Sequence, residues 1–298
     1  MPTILTLIGA PGALTPALVT TARDALGEAG IITRSETAWL APGEACDLLV
    51  PDEPAADPRA CVAAALNGAP IDIVNQPAEH RKKRLLVADM DSTIITCECI
   101  DELADAVGLK EKVSAITERA MRGEIEFEPA LRERVALLKE LPVAALEEVY
   151  KSRVRLMPGA KTLVATMNAH GAKTALVSGG FTYFTSRVAA ATGFSFHQGN
   201  LLEIVDGRLT GRVAEPILGR DAKHEALLTQ ARMYNIALPE TLAIGDGAND
   251  LAMIAAAGLG VAFRAKPKVA AAAPAQIAHG DLTAILFLQG YRRDEFVA

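Results

Sequence analysis

The chain is poor in aromatic residues, poor in cysteine, without an excess of basic charge and without a long apolar run. Aromatics make up 4% of 298 residues while hydrophobic residues reach 50%, so the apolar content is mainly Ala, Leu, Val and Ile. That mixture suits helices packed on a buried sheet and leaves no long stretch polar enough for disorder. Four cysteines (Cys46, Cys61, Cys97 and Cys99) are too few for a disulfide scaffold. Cys97 and Cys99 lack the second pair that a zinc site needs, so all four are expected as reduced, unliganded thiols. The formal charge of -6 gives no general attraction to nucleic acid or to anionic membranes. An anionic substrate would have to be drawn in locally. No segment reaches the roughly 20 apolar residues of a membrane span, and the start MPTILTLIGAPGALTP has no basic n-region, so a cytoplasmic protein is expected.

What is present divides in two. Apolar periodicity predicts strand Thr3 to Ile8, helix Thr15 to Ala29, strand Ile31 to Trp39, strand Cys46 to Val50, helix Pro58 to Asn67 and strand Ile71 to Val74. These form a small α+β unit over 1–75. The polar stretch that follows, ending in HRKKR, reads as a linker over 76–84. From Leu85 to the end the runs LLVAD, KTALVS and TLAIGD each close on a polar or acidic residue and lead into helical sequence. That alternation predicts an α/β domain over 85–298 with a Rossmann-like parallel sheet and right-handed crossovers. Residues from Cys97 to about Leu156 interrupt it with helical spacing at Phe127, Leu131, Val135 and Leu138, a candidate lid. Asp206-Gly207 is a strong hairpin signal within Asn200 to Val213.

Ligands of open parallel sheets bind beyond the carboxyl ends of the strands, so Asp89, Ser178 and Asp246 should converge. In DMDST, Asp89 and Asp91 stand two residues apart and point to one side, while Met90 turns away. One carboxylate can attack phosphorus and form an aspartyl phosphate, while the other protonates the leaving alkoxide and later activates water. Asp89 takes the first role and Asp91 the second. Taken alone, such a run also serves as a helix cap.

GDGAND adds Asp246 and Asp250 in a tight loop. Hard oxygen ligands of this kind suit Mg²⁺, with Asp89, the Asp91 carbonyl and Asp246 as the metal set and Asp250 in support. A cation is also needed to keep a phosphate dianion among carboxylates. Ser178-Gly179-Gly180 offers a hydroxyl and free N–H groups for phosphate oxygens, and Lys223 a point charge. In the inserted helices, Glu98 can receive an ammonium group and Arg134 can grip a carboxylate, a pair that suits a zwitterionic amino acid.

The ordered set DMDST, SGG, Lys223 and GDGAND resembles the haloacid dehalogenase superfamily. The text DSTIITCECIDELA, with MRGEIEFEPALRERVALLKEL, is similar to the cap of its phosphoserine phosphatases. That resemblance covers about Arg84 to the C-terminus. It implies a haloacid dehalogenase fold with a helical cap, and Mg²⁺-dependent hydrolysis of O-phosphoserine, the last step of serine biosynthesis. It also implies Asp89 as nucleophile, Asp91 as acid/base and Asp246 in the magnesium site. Ser178, Gly179, Lys223 and Asn249 then hold phosphate, Glu98 and Arg134 read the substrate, and Met121 and Phe127 line its pocket. The first 75 residues are similar in layout to a regulatory ACT-like domain, which implies pairing of two copies and amino-acid binding. Three other readings share the sequence features: transfer of the phosphoryl group to another alcohol such as homoserine, an amino-acid sensor on an inactive scaffold, and a receiver that stores phosphate on Asp89.

Overall fold

The computed structural model describes residues 2–33, 37–52, 54–121, 124–219 and 221–298; the Met121 side chain lies outside the described set. The N-terminal unit comprises β1 (Thr3–Ile8), α1 (Pro16–Glu28), β2 (Ala38–Ala41), β3 (Ala45–Val50), α2 (Pro58–Leu66) and β4 (Asp72–Pro77). Its antiparallel sheet has the order β2-β3-β1-β4. Thr15 caps α1, accepting from the Leu18 N–H with Pro16 at the first helical position, and Asp57 caps α2 in the same way. Alternation sorts the sheet's two faces: Leu5, Leu7, Cys46 and Leu48 pack beneath α1 and α2, while Ile8, Ala45 and Val74 join the core of the second unit.

The strand expected over Ile31 to Trp39 is corrected. Residues 34–36 lie outside the described set, and the strand begins only at Ala38. Gly30 adopts φ +76, and the Ile31 N–H donates to the Leu26 carbonyl at 2.8 Å. This is a Schellman closure: Ile31 ends α1 and buries itself there instead of extending a strand. β4 likewise runs past Val74 to Pro77, because it stays paired with β1 as far as Thr3 opposite Pro77.

The second unit starts with β5 (Leu85–Ala88). Helices α3 (Cys99–Ala106), α4 (Lys110–Met121), α5 (Phe127–Ala136) and α6 (Val143–Ser152) then form the inserted cap. Next come α7 (Ala160–Ala169), β6 (Lys173–Phe181), α8 (Thr182–Thr192), β7 (Phe196–Asn200), β8 (Leu202–Val205), β9 (Arg208–Val213) and α9 (Ala222–Met233). The chain closes with β10 (Thr241–Gly245), α10 (Leu251–Ala256), β11 (Leu259–Phe263), α11 (Pro267–Ala272), β12 (Ala275–Ile277) and α12 (Ala284–Leu288). The sheet order is β12-β11-β10-β5-β6-β7, every pair parallel. Its central strands are buried on both faces, which is why LLVA and TLAIG read as unbroken apolar runs.

The cap leaves and rejoins the sheet through one paired seam. Ile95 bridges Leu156, the Met157 N–H donates to the Ile94 carbonyl, and the Thr96 N–H donates to the Arg155 carbonyl. The β8–β9 hairpin turns at Asp206 (φ 50) and Gly207 (φ 73), the two left-handed positions of a tight hairpin turn. It packs against α5, with the Glu140 N–H donating to the Leu209 carbonyl. Among the described residues no helix is long and apolar enough to cross a membrane, and the four cysteines are free.

Candidate active site

The functional side chains gather where β5, β6 and β10 end. After β5 the chain turns sharply: the Thr93, Ile94 and Ile95 N–H groups all donate to the Met90 carbonyl, and Ser92 adopts φ +56. A left-handed non-glycine residue is held there by the surrounding bonds and sets the direction of the acidic pair. The Met90 side chain is fully buried, anchoring the turn from below.

Asp89 accepts from the Met90 N–H at 2.7 Å and faces the Lys223 ammonium at 2.8 Å. Lys223 also donates to Asp250 at 2.6 Å, and Asp250 accepts from the Gly247 N–H at 2.9 Å. Asp91 accepts from the Cys99 N–H at 2.9 Å and from the Ser178 hydroxyl at 3.1 Å. Ser178 in turn accepts from the Gly180 N–H at 2.9 Å. Asp246 accepts from the Thr93 hydroxyl at 3.1 Å.

Two glycines in these loops are required by close approach. A Cβ on Gly245 would lie 2.3 Å from the Asp250 carboxyl carbon, and one on Gly179 would lie 2.9 Å from the Phe127 ring. The second contact brings α5 of the cap directly onto the β6 loop.

Among the described residues carboxylates outnumber cations here. Asp89, Asp246 and Asp250 each bring an oxygen within 4.8 Å of the others, and they share one buried lysine. Burial drives the Asp89 carboxyl well above the ordinary range, with Lys223 opposing and Asp250, Asp246 and Asp91 adding to the rise. Burial and then the neighbouring Glu98 push Asp91 up to about 7. Burial and then Asp250 push Asp246 to about 6. Lys223 is buried too, but Asp250 and Asp89 outweigh that and hold it charged.

All donors in the acidic cluster are hard carboxylate oxygens carrying excess negative charge, so the residues fit a small divalent cation. Asp250, read from sequence as support for the metal loop, also brings an oxygen within 4.8 Å of both Asp89 and Asp246. The Asp91 carboxylate turns away, toward Ser178 and Cys99.

Glu98 and Arg134 reach the same region from the cap. Glu98 is exposed and accepts from the Ser92 hydroxyl at 2.7 Å. Arg134, half-buried, donates to the Ala130 carbonyl and the Thr117 hydroxyl, with Asp101, Glu98 and Asp91 acting on its charge. Phe127, Ser178, Gly179, Lys223 and Asn249 line a small space of about 10 Å³, and Phe127 also borders an adjoining cleft of about 660 Å³. The Phe127 ring therefore stands between the inner site and that cleft.

Two residues at the site escaped the sequence reading. Thr93 orients Asp246 across the gap between loops. Asn200, 1% exposed, donates to the Gly179 carbonyl at 2.8 Å and accepts from the Leu218 N–H at 2.8 Å, tying the serine loop to the segment before Lys223. Asn200 ends β7, so the rule that found Asp89, Ser178 and Asp246 at strand ends applies to it as well.

The haloacid dehalogenase-like hydrolase family model matches residues 86–255, and the chain belongs to that family. Within the family it is 47% identical over 205 residues to the phosphoserine phosphatase of Vibrio cholerae serotype O1, covering 69% of this chain and 62% of that one. The matched stretch covers a similar share, about three fifths, of the phosphoserine phosphatases of Archaeoglobus fulgidus and Streptomyces coelicolor. A solved structure of a probable phosphoserine phosphatase from Vibrio cholerae superposes with TM-score 0.80 at 36% identity, covering 98% of this chain and 88% of that one. A haloacid dehalogenase family hydrolase from Salmonella enterica serovar Typhi superposes with TM-score 0.84 at 32% identity, covering 96% and 98%. Both superpositions extend over the N-terminal unit.

Proposed function

We propose that the protein is a Mg²⁺-dependent phosphatase that hydrolyses O-phospho-L-serine to L-serine and phosphate, the last step of serine biosynthesis. The observation that carries the reading is the Asp89–Lys223–Asp250–Asp246 cluster at the strand ends, with Asp91 on Ser178 and with Glu98 and Arg134 above it. The names of the relatives support the substrate.

In this mechanism Arg134 takes the substrate carboxylate and Glu98 its ammonium group. Ser178, the Gly179 N–H, Lys223 and Asn249 hold the phosphate oxygens. An Asp89 oxygen attacks phosphorus as the bond to the serine oxygen breaks, and Asp91, poised near 7, gives its proton to that oxygen. Serine leaves as the alcohol. Asp91, now a carboxylate, removes a proton from water, whose oxygen attacks the phosphoryl group and returns Asp89 to a free carboxylate. Asp89, Asp246 and the Asp91 carbonyl would hold Mg²⁺, with Asp250 beside them; the ion supplies positive charge that lets the phosphate approach and stabilises charge developing during transfer. Phe127 shields the reaction from bulk water.

The N-terminal unit is proposed as an ACT-like regulatory domain that binds an amino acid and pairs two copies. Since one face of its sheet packs on the second unit, pairing would use its remaining surface, such as the β2 edge. The free thiols suit the reducing cytoplasm, where we place the protein.

The test is phosphate release from O-phospho-L-serine with Mg²⁺ and with EDTA, beside phosphothreonine, glycerol phosphate and p-nitrophenyl phosphate. The expected result is magnesium-dependent turnover strongest on phosphoserine. Turnover confined to the other esters would keep the chemistry and discard the substrate.

A further inference from the structure

Cys97 and Cys99 flank Glu98, and neither thiol has a part in the mechanism above. Glu98 is extended, at φ -94 and ψ 109, so the side chains on either side of it point to one face. An extended residue also leaves its neighbours' Cα atoms about 6–7 Å apart, at the upper limit for a disulfide. Cys97 is half-buried and Cys99 buried at the first turn of α3. The neighbouring Cys97, burial and then Asp91 hold the Cys99 thiol well above its ordinary range.

The three residues are stitched to the catalytic turn. The Ser92 N–H donates to the Cys97 carbonyl at 3.3 Å, the Ser92 hydroxyl to Glu98 at 2.7 Å, and the Cys99 N–H to Asp91 at 2.9 Å. Any change in the backbone at Glu98 therefore reaches Ser92, Glu98 and Asp91 together.

We propose that Cys97 and Cys99 form a reversible disulfide under oxidation by a hydroperoxide, and that this bridge switches the active site off. A hydroperoxide oxygen is transferred to the half-buried Cys97 sulfur, giving a sulfenic acid while the peroxide is reduced to water or an alcohol. The Cys99 sulfur then attacks the Cys97 sulfur, the S–O bond breaks, and the hydroxyl leaves as water with the Cys99 proton. Closure to the usual Cα separation of about 5.5–6 Å shortens the Cys97–Cys99 span, so Glu98 must leave its extended conformation. The Cys99 N–H shifts away from Asp91, and Glu98 swings from its place over Ser92. A two-electron reductant such as a dithiol restores both thiols.

The loss of turnover rests on the activity proposed above, whereas the bridge does not, so the experiment reads the two separately. The full chain, reduced and then exposed to hydrogen peroxide, is assayed for intact mass, for the peptide carrying residues 97–99 and for phosphoserine turnover before and after dithiothreitol. The expected product is lighter by two hydrogens, bridged within that peptide, and slower on the order of 10²-fold, the cost of a catalytic group displaced by about 1 Å. Dithiothreitol should return the starting rate. Cys97→Ser, or Cys97→Ala if the serine variant folds poorly, should show no such reversible loss. Thiols that remain separately alkylatable after peroxide would overturn the proposal, as would a bridged protein that turns over at the reduced rate. A reduced protein inactive on phosphoserine would instead count against the catalytic reading, with the mass still deciding the bridge.

Discussion

The protein buries acidic groups in two places and treats them in opposite ways. Where the N-terminal sheet meets the second unit, Asp72 accepts from the Ala278, His279 and Gly280 N–H groups, the shortest at 2.7 Å. Beside it Arg81 grips Asp47 at 2.6 and 2.8 Å and donates to the Phe287 and Leu288 carbonyls. Asp47 is matched by a guanidinium and Asp72 by three backbone donors. At the ends of β5 and β10, Asp89 and Asp250 both bond Lys223 with Asp246 within 4.8 Å of them, and Asp91 lies close by on the Ser178 hydroxyl and the Cys99 N–H. Matched burial fixes how two units sit together; the crowded burial keeps a reservoir of negative charge that, in the proposed function, a metal and a phosphate would complete.

Substitutions at the two places should therefore fail differently. Asp89→Asn removes the proposed nucleophile and relieves crowding among carboxylates. Turnover of phosphoserine should fall by at least about 10⁴-fold, with the melting temperature unchanged or higher. A steady-state assay paired with a thermal melt checks both halves. Asp72→Ala should do the reverse, leaving three N–H groups without their acceptor and costing about 3 kcal/mol in denaturant unfolding while kcat stays close to its starting value. A large loss of kcat in a well-folded Asp72→Ala protein would erase the distinction.

Arg134→Ala sharpens the comparison inside the site, since it alters recognition and not charge transfer. Its kcat/KM should drop on the order of 10²-fold on phosphoserine and much less on p-nitrophenyl phosphate. Equal losses on both would remove Arg134 as the reader of the amino-acid end.

The smallest effect concerns pH in the metal-free protein. Unfolded aspartates titrate near about 3.9, whereas burial holds Asp246 at about 6 and Asp91 at about 7. The folded state thus binds more protons across that window. Stability contributed by these groups is greatest at the acid end and is lost as pH rises through their folded values. Melting temperature without Mg²⁺ should fall by a few degrees from about pH 5 to about pH 8, and added Mg²⁺ should raise it more at the alkaline end. A melting temperature that climbs over this range without metal would show that the site is not charge-crowded.

The unequal legibility of the two places in the sequence has the same origin. Asp89, Ser178 and Asp246 each close a short apolar run, and parallel strands buried on both faces must deliver their polar ends to one rim. Glu98 and Arg134 were legible as a complementary pair of charges, but not their positions, because placing a cap side chain over a sheet depends on packing across many residues. The basic stretch before β5 looks like a solvated linker. In the fold Arg81 pairs with Asp47, Lys82 with Glu295, Lys83 with the Pro239 carbonyl and Arg84 with Glu240. Those partners come from distant parts of the chain, so no local pattern announces them. Ile31 misled for the opposite reason: a β-branched residue after Gly30 has a strand former's composition, but the glycine's left-handed turn commits it to the end of α1.

The central claim is that the charge-crowded rim works through a covalent bond to Asp89. Its most direct test is an acid quench of the enzyme with Mg²⁺ and phosphoserine labelled in the phosphoryl group, followed by peptide mapping. The account predicts label on the peptide containing Asp89, released by hydroxylamine and absent from Asp89→Asn. Rapid turnover with no label on any peptide, or label on a different residue, would contradict it.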